Sequence, residues 1–340
     1  MKKKLISILT AAMVILCACG SPAAGESRNT DPSQPSDSAA SEESDNEKQE
    51  TQQQNTDSSA KTSVTDPSGA EITLPDEINS IVVLAPSLSE IVISLDLGDK
   101  VTGYDSYSAG LAGLPENAPT FEITNPDMEQ LAALAPDILL VTNESLYDQE
   151  SPFQALIDAG TCVICIPNRD SIEGIKSDIE FLASALGASE KGKSLIDDFG
   201  AQLEELAAIA ADIPQEERKR IYFEVAPAPN MYSFGSGVFL NEMIEWIGAE
   251  NILAGQSGWF TVEGETIAAA NPDVIFTNAD YMEDPVQEIL DRDGWADISA
   301  VANKNVYCID NNSSSQPNHN IVKAMRQMAE ILYPDHYSAK

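Results

Sequence analysis

The chain contains little positive charge. Its 340 residues include 19 lysines and arginines against 55 aspartates and glutamates, which gives a formal net charge of -36. Most of this excess lies in residues 63–340, where Lys and Arg form no cluster. Contacts with phosphate groups require such clusters, so the composition argues against nucleic-acid binding.

Histidine is scarce as well, since His319 and His336 are the two in the chain. Zinc sites and general acid–base catalysis often rely on histidine, so its scarcity argues against both. The sequence also lacks a Gly-x-Ser-x-Gly nucleophile elbow, because Gly255-Gln-Ser-Gly258 has the wrong spacing, and a glycine-rich phosphate loop after a strand. We therefore predict no catalytic residues, no metal ligands and no enzyme activity.

No apolar stretch reaches the roughly 20 residues that span a bilayer. An apolar run from Leu5 to Leu16 follows three lysines, an arrangement typical of a secretory signal. Leu16-Cys17-Ala18-Cys19 resembles the bacterial lipobox, whose last cysteine is acylated and becomes the mature N-terminus. This resemblance implies a lipoprotein signal peptide over residues 1–19 and a lipid on Cys19. An ordinary signal peptide with incidental cysteines is the alternative.

Residues 20–62 are rich in Ser, Glu, Asp and Gln and hold almost no large apolar side chain. Such a segment cannot bury enough apolar surface to offset the entropy that it would lose on ordering. We therefore predict a disordered acidic tether over 20–62. With a lipid on Cys19, this tether would hold the folded part at the extracytoplasmic face of the cell membrane.

Beyond residue 63, short apolar runs alternate with segments of 3.6-residue periodicity. Strands separated by helices in this way predict parallel sheets built from βαβ units. The predicted strands are 81–85, 138–142, 162–166, 220–224, 274–277 and 306–309, and the predicted helices are 88–95, 128–134, 172–186, 238–247 and 321–332.

The segment 129–140 is repeated at 265–276. EQLAALAPDILL and ETIAAANPDVIF align without a gap, share five identical residues and keep their apolar positions. Each copy predicts a short helix, a Pro-Asp turn and a buried strand. The repeat indicates two similar lobes, with chance similarity between Ala-rich helices as the alternative.

A continuous helical pattern over 189–213 separates the two halves and ends before Pro214. At 1.5 Å per residue, a helix of this length spans about 37 Å. The predicted fold is therefore α/β, with two Rossmann-like α/β lobes, 63–188 and 214–340, joined by one long rigid helix. A ligand site is expected in the cleft between the lobes.

The cysteines beyond the signal are Cys162, Cys165 and Cys308. Cys162 and Cys165 lie three residues apart in a predicted strand, so their side chains point to opposite faces and a disulfide between them is disfavoured. A thioredoxin-like Cys-x-x-Cys motif would lie at a helix N-terminus instead. We therefore predict buried free thiols.

Several short motifs follow one another in a fixed order from residue 85 onward. They are APSLSE at 85–90, VTGYDSY at 101–107, DME at 127–129, APD at 135–137, FGSGVFLN at 234–241, GAENI at 248–252, GW at 294–295, AV at 300–301 and YP at 333–334. By their order and spacing, about residues 63–335 resemble the ferric-siderophore and vitamin B12 periplasmic-binding family, the solute receptors of ABC importers. The resemblance implies two α/β lobes, one rigid helix and a shallow cleft between them.

In that family one exposed glutamate per lobe docks onto arginines of the membrane permease. The motif positions imply Glu129 and Glu265, which also open the two copies of the internal repeat, whereas Glu90 could cap its own helix. The resemblance further implies a monomeric receptor without a resident cofactor, because the ligand carries its own chelated cobalt or iron. Its partners would be an ABC permease with its ATPase and, through the lipid, the membrane.

The resemblance also places a set of side chains around the cleft. Trp259 lies six residues before Glu265, where corrinoid-binding relatives present an aromatic, and aromatic rings suit a large flat macrocycle. Trp246 is flanked by apolar residues and is expected in the core. The predicted ligand-binding residues are Tyr104, Tyr107, Phe121 and Asn143 in the first lobe and Tyr232, Trp259, Phe260, Asn311 and Gln316 in the second.

The stretch 312–320 carries no Lys or Arg, although many relatives have arginine near Gln316. Recognition of an anionic catecholate siderophore would need such cations. A cobamide or a hydroxamate-type ferric siderophore therefore fits better. Ile123 and Thr142 stand where B12 receptors have aromatic residues, so the sequence does not choose between these two ligands. A haem-binding receptor of the same family is a further alternative. An enzyme and a non-transport envelope lipoprotein are alternatives of other classes.

Overall fold

The computed structural model describes residues 62–146 and 152–337. The predicted signal peptide, its Cys19 and the predicted tether, apart from Thr62, lie outside these residues. Within them, no helix is both long enough and apolar enough to cross a bilayer.

The first lobe contains a parallel sheet flanked by helices. Its strands are β1 (Ser63–Thr65), β2 (Glu71–Thr73), β3 (Ile81–Val83), β4 (Val101–Asp105), β5 (Thr120–Phe121), β6 (Ile138–Val141) and β7 (Cys162–Cys165). Its helices are α1 (Pro86–Ser94), α2 (Met128–Leu134), α3 (Gln154–Asp158) and α4 (Ile172–Ala185). Among the described residues, the sheet has the parallel order β5-β4-β3-β6-β7, and β1 and β2 form an antiparallel hairpin.

The strands predicted from apolar runs in this lobe are confirmed as β3, β6 and β7. They are almost entirely buried, as expected for parallel strands covered on both faces. Strand β4 was not predicted because its sequence mixes polar residues with Gly103. A Cβ atom on Gly103 would lie 2.8 Å from the ring of Phe121, so glycine allows that ring to pack against β4.

Helix α5 (Ser189–Ala211) leads from the first lobe to the second. Its 23 residues span about 35 Å, and it ends two residues before the predicted boundary. Its apolar face buries Phe199 and Leu203. Gly192 brings α4 and α5 close together, because a Cβ atom at this position would lie 2.1 Å from the Cβ of Ala183. The close packing agrees with a stiff connection.

The second lobe contains a second parallel sheet. Its strands are β8 (Arg220–Glu224), β9 (Tyr232–Phe234), β10 (Glu250–Asn251), β11 (Trp259–Thr261), β12 (Val274–Thr277) and β13 (Val306–Cys308). Its helices are α6 (Phe239–Trp246), α7 (Gly264–Ala270), α8 (Pro285–Leu290), α9 (Ser299–Ala302), α10 (Asn311–Ser315), α11 (Ile321–Leu332) and α12 (Pro334–Tyr337). In the described part of the chain, the sheet has the parallel order β10-β8-β12-β13, and β9 and β11 form an antiparallel hairpin.

The two lobes repeat one arrangement, since β4-β3-β6-β7 corresponds to β10-β8-β12-β13. Helices α2 and α7 precede β6 and β12, and they end at the left-handed residues Ala135 (φ 44°) and Asn271 (φ 48°). Asp137 and Asp273 then accept a hydrogen bond from the backbone N–H at the start of β3 (3.0 Å) and of β8 (2.9 Å). The predicted internal repeat is therefore a structural repeat.

One hydrophobic core runs through both lobes. Its buried side chains include Ile81 and Leu140 from the first sheet, Leu203 from α5, and Phe223 and Phe276 from the second sheet. Smaller apolar clusters cover the opposite face of each sheet. Because the lobes share this core, we expect them to move little relative to each other.

Within the described residues Cys162, Cys165 and Cys308 are free thiols; Cys162 and Cys165 are buried as predicted, whereas Cys308 is half-buried. Cys162 belongs to the shared core, and Cys165 belongs to the cluster on the opposite face of the first sheet. Burial and, to a smaller extent, the nearby Asp66 raise the pKa of each of these two thiols to about 11. Both are therefore protonated and unreactive at neutral pH.

Candidate ligand-binding cleft

A cavity of about 790 Å³ lies between the two lobes. It is formed at the carboxyl ends of parallel strands, because Ala85 follows β3, Thr142 follows β6, and Asp280 and Asn311 follow β12 and β13. Open parallel sheets commonly bind ligands at this end. The other residues that line the cavity are Pro86, Ser87, Tyr107, Ile123, Glu144, Asn168, Arg169, Asp170, Phe239, Trp259, Asn312, Ser315, Gln316 and Pro317.

The cavity brings together four of the predicted ligand-binding residues. Tyr107 lies in a 3-10 turn after β4 and is 73% exposed, while Trp259 begins β11 and is 38% exposed. Asn311 opens α10, and Gln316 follows its end. The cavity is thus lined by one exposed aromatic ring from each lobe, and such rings offer apolar faces to a flat ligand.

Trp259 is held by its neighbours in the β9–β11 hairpin. Its ring stacks on that of Tyr232, with centroids 6.4 Å apart and an interplanar angle of 6°, and meets Phe234 edge-on at 5.5 Å. Tyr232 therefore supports Trp259 and does not line the cavity, which corrects its predicted position. Phe260 is the next residue along β11, so its side chain turns to the other face and packs against the core cluster of the second lobe. Its predicted position in the cleft is corrected as well.

Gly235 allows the hairpin that carries Trp259 to close. A Cβ atom on Gly235 would lie 2.0 Å from the carbonyl oxygen of Gln256, closer than any side chain could approach. The backbone N–H of Gly235 donates to the carbonyl of Gly258 at 2.9 Å. The position of Trp259 is therefore set by the backbone of the hairpin as well as by its aromatic neighbours.

Three predicted residues of the first lobe lie outside the cavity. Tyr104 is 4% exposed in the shared core, where its hydroxyl donates a hydrogen bond to the carbonyl of Pro115 at 3.2 Å. Phe121 is 3% exposed and packs in the cluster on the opposite face of that sheet. Asn143 is exposed between two lining residues, but its Oδ1 accepts a contact from Sγ of Cys165 at 3.8 Å. Burial of the two rings in the core is the physical reason for the first two corrections.

The sequence analysis missed the charged residues of the cleft. Glu144, Asp170 and Asp280 are acidic, and Arg169 is the single cation among the described residues that line it. Arg169 donates from Nε to Oδ2 of buried Asp178 at 2.8 Å and from Nη2 to Oδ1, which raises the pKa of Arg169 and offsets its charge. The cleft is therefore net acidic. These residues follow the ends of β6, β7 and β12, and their place after predicted strands is the signal that could have indicated them.

Hydrogen bonds also join α1 of the first lobe to the segment 311–320 of the second. Glu90 accepts hydrogen bonds from Nδ2 of Asn312 at 2.7 Å and from Nδ2 of Asn320. Oγ of Ser94 is hydrogen-bonded to Nε2 of His319 at 3.0 Å, and burial lowers the pKa of His319 to about 4, so the imidazole is neutral at pH 7. Glu90 thus links the two lobes and does not cap its own helix.

Glu129 and Glu265 occupy the second position of α2 and of α7, and both are exposed. Asp127 caps α2, because its Oδ1 accepts the N–H groups of Glu129 and Gln130 at 3.0 Å each. Glu129 is therefore not needed as a cap. In the part of the chain that the structure describes, neither glutamate forms a salt bridge. Both carboxylates are accessible at equivalent points of the two lobes.

The described ranges 62–146 and 152–337 contain no group of three or more His, Cys, Asp or Glu side chains placed to hold a metal ion. The polar side chains that line the cleft carry carboxylates, amides, hydroxyls and the guanidinium of Arg169, which form hydrogen bonds with organic ligands.

Known proteins resemble this chain over most of its described length. The model of the periplasmic binding protein family matches residues 81–313. The chain is 31% identical over 275 residues to YvrC of Bacillus subtilis, an uncharacterized ABC transporter substrate-binding lipoprotein, which covers 80% of this chain and 85% of YvrC. It is 25% identical over 262 residues to the vitamin B12-binding protein of Vibrio campbellii, covering 74% of this chain and 88% of that protein.

The molybdate-binding protein MolA of Haemophilus influenzae is another relative. It is 28% identical over 273 residues, which covers 72% of this chain and 76% of MolA. The solved structure of MolA with molybdate matches this fold with a TM-score of 0.70 at 26% identity, over 82% of this chain and 93% of that one. The similarity extends through both α/β lobes.

Proposed function

This chain belongs to the periplasmic binding protein family and is a substrate-binding protein of an ABC transporter; we propose that its ligand is a cobamide, a corrinoid of the vitamin B12 type. Its relatives are solute-binding proteins and not enzymes. The receptor would capture the corrinoid outside the cytoplasm and deliver it to a permease. The observation that carries the proposal is a net acidic cavity with one exposed aromatic ring from each lobe.

The size and lining of the cavity support a macrocyclic ligand. Its volume of about 790 Å³ lies toward the upper end of the roughly 300–1,000 Å³ that small-molecule sites occupy. Tyr107 and Trp259 offer flat apolar surface, and the stacking of Trp259 on Tyr232 fixes one ring before ligand arrives. A ring that is already ordered loses little entropy on binding. A corrin is large, flat and partly apolar, and it matches this lining.

The charge of the cleft argues against an oxyanion, although MolA is described as binding molybdate. Glu144, Asp170 and Asp280 would repel an anion, and Arg169 is already paired with Asp178. Burying an anion without a free cation would cost several kcal/mol, on the order of the desolvation penalty of an unpaired ion. The amides around a corrin ring are uncharged, so this part of a cobamide avoids the cost.

Titration of the purified chain with a panel of ligands tests the proposal directly. Isothermal titration calorimetry would compare cyanocobalamin, a ferric hydroxamate chelate, haemin and molybdate. We expect one cyanocobalamin per chain and weaker binding of the other three. Preferential binding of the hydroxamate or of haemin would replace the proposed ligand by that alternative, and tight molybdate binding would contradict the charge argument.

Replacing Trp259 with alanine is expected to weaken cyanocobalamin binding by ~1–3 kcal/mol, because the ring that stacks on the ligand is lost. Trp246→Phe is the matched control, since Trp246 packs against the shared core and lies outside the cavity. Calorimetry of both variants, with circular dichroism to check the fold, measures the difference. Unchanged affinity in a folded Trp259→Ala protein would remove Trp259 from the site.

We further propose that the mature protein is anchored by a lipid on Cys19, as its lipobox-like segment implies. The Cys19→Ala variant is expected in the soluble fraction of producing cells, whereas the wild type stays with the membrane. Intact mass spectrometry of detergent-extracted wild type should give the mass of a chain that begins at acylated Cys19. Cys17→Ala is the control and should remain anchored. Release of the wild type as readily as Cys19→Ala would contradict the anchor.

A further inference from the structure

The structural repeat extends into the cleft and places one carboxylate there from each lobe. Glu144 lies three residues after the end of β6, and Asp280 lies three residues after the end of β12, the equivalent strand. Both line the cavity. The internal repeat noted in the sequence ends with these strands, and the two acids follow it at the same offset.

An asparagine accompanies each acid at a second pair of equivalent positions. The last residue of β6 pairs with the last residue of β7, and the last residue of β12 pairs with the last residue of β13. Asn168 lies three residues after the end of β7, Asn311 lies three residues after the end of β13, and both line the cavity. Nδ2 of Asn168 donates to Oε1 of Glu144 at 3.1 Å, and the backbone N–H of Asn311 donates to Oδ2 of Asp280 at 3.2 Å. Each lobe thus contributes one acid–asparagine pair.

These pairs present mainly hydrogen-bond acceptors to a ligand. Among the described residues, Oε2 of Glu144 and Oδ1 of Asp280 have no partner, and an ionised carboxylate can only accept. The amide nitrogen of Asn168 is engaged with Glu144, and that of Asn311 donates to the carbonyl of Asn278. One N–H of each asparagine amide stays free, but the carboxylates carry the charge of both pairs and favour donors on the ligand.

A third polar group at the same edge of the sheet supports a ligand here independently. Thr142 lines the cavity and is 4% exposed, yet its Oγ1 has no hydrogen-bond partner within the described chain. Its equivalent in the second lobe, Asn278, is 1% exposed and its Oδ1 also lacks a partner there. Buried polar atoms are normally paired, so the unpaired hydroxyl of Thr142 at the cavity wall indicates a hydrogen bond that a ligand completes, whereas Asn278 does not line the cavity.

We infer that the Glu144–Asn168 and Asp280–Asn311 pairs, with Thr142, set the specificity of the cleft by accepting hydrogen bonds from N–H donors on two opposite edges of the ligand. The inference rests on the proposed function, because the primary amides around a corrin ring supply such donors on all sides. Two-sided recognition of donors disfavours ligands whose edges carry carboxylates, since acceptors that face each other once the ligand covers them both stay unpaired. The cleft therefore distinguishes an amidated corrinoid from its acid form.

Calorimetry with two probes tests this inference: cyanocobalamin, and a monocarboxylate of cyanocobalamin in which one peripheral amide is hydrolysed. The wild type should bind each monocarboxylate that loses a contacted amide at least tenfold more weakly, since a hydrogen bond to a charged group is lost and two acceptors then face each other. Glu144→Gln and Asp280→Asn should each weaken cyanocobalamin binding about tenfold and shrink the preference for the amide form, because the new amide can donate to a carboxylate. Glu204→Gln, which removes one exposed acid from α5, should change neither value.

The outcomes separate this inference from the proposed function. If the wild type binds cyanocobalamin and both variants keep its affinity and its preference for the amide form, the inference is overturned and the proposed function stands. Absence of cyanocobalamin binding by the wild type would overturn the proposed function and the inference with it. Loss of the amide preference in only one variant would support donor recognition on that edge and overturn it on the other.

Discussion

Uptake of ligand is expected to stop when Glu129 and Glu265 are both replaced with lysine, while affinity in solution stays unchanged. The two carboxylates are exposed, unpaired within the described residues and placed at equivalent points of the two lobes. If they dock onto arginines of the permease, lysine adds repulsion between like charges, which costs several kcal/mol. Uptake of radiolabelled cyanocobalamin by cells, measured beside calorimetry of the same purified variants, separates docking from binding.

A charge-matched control makes this result interpretable. Glu204 and Glu330 are exposed on α5 and α11, so their double replacement with lysine changes the net charge equally and should leave uptake intact. Single replacement of Glu129 or Glu265 with alanine should lower uptake partially, and added salt should weaken docking further. Full uptake by the Glu129→Lys, Glu265→Lys protein would refute the docking role. Lost ligand affinity would instead place both acids in the binding reaction.

The largest expected loss of stability follows replacement of Arg292 with alanine, which should lower the free energy of unfolding by about 3–5 kcal/mol. Arg292 donates from Nη1 and Nη2 to both oxygens of Glu224 (2.7 and 2.9 Å) and also pairs with Glu288. Its guanidinium lies 4.3 Å from the centre of the Trp295 ring. Glu224 is 1% exposed, so removing Arg292 leaves a buried carboxylate without its cation. Urea denaturation followed by circular dichroism measures the loss.

An exposed ion pair offers the comparison. Arg326 pairs with Glu205 at 3.1 Å, with both side chains partly in solvent, and Arg326→Ala should cost only about 0–1 kcal/mol. The double variant Arg292→Ala, Glu224→Gln should recover part of the stability, because the uncompensated charge is then absent. Equal losses in Arg292→Ala and Arg326→Ala would show that burial of the pair contributes nothing.

Much of the fold was predictable because its central strands are buried on both faces. Strands β3, β6 and β12 are almost continuous apolar runs, β8 has the apolar centre Ile-Tyr-Phe, and α2 and α11 keep a clear helical period, so their predicted bounds agree with the structure to within two residues. The short strands β5, β9, β10 and β11 were missed. They have two or three residues each, and the hairpin of β9 and β11 is only partly buried, so no periodic signal can develop.

The candidate site was predicted less completely than the fold. Tyr107 and Trp259 were predicted from motif positions and line the cavity, but Tyr104, from the same motif as Tyr107, and Phe121 lie in the core. Aromatic residues occur both in hydrophobic cores and in ligand-binding cavities, and sequence alone does not give the direction of a side chain near a strand end. Arg169 was missed for a related reason, since its partner Asp178 lies on α4 and the pair forms only when α4 packs against the first sheet.

If Glu129 and Glu265 dock onto a permease, empty and loaded receptors would compete for it, because the shared core and the hydrogen bonds of α1 hold the two lobes together. Empty and loaded receptors would present Glu129 and Glu265 at nearly the same spacing, and species with the same docking geometry bind a partner about equally well. Empty copies would then occupy permeases that loaded copies need. The import rate would follow the loaded fraction of the receptor pool and not its total abundance. The permease could then recognise cargo only by contacting the ligand itself.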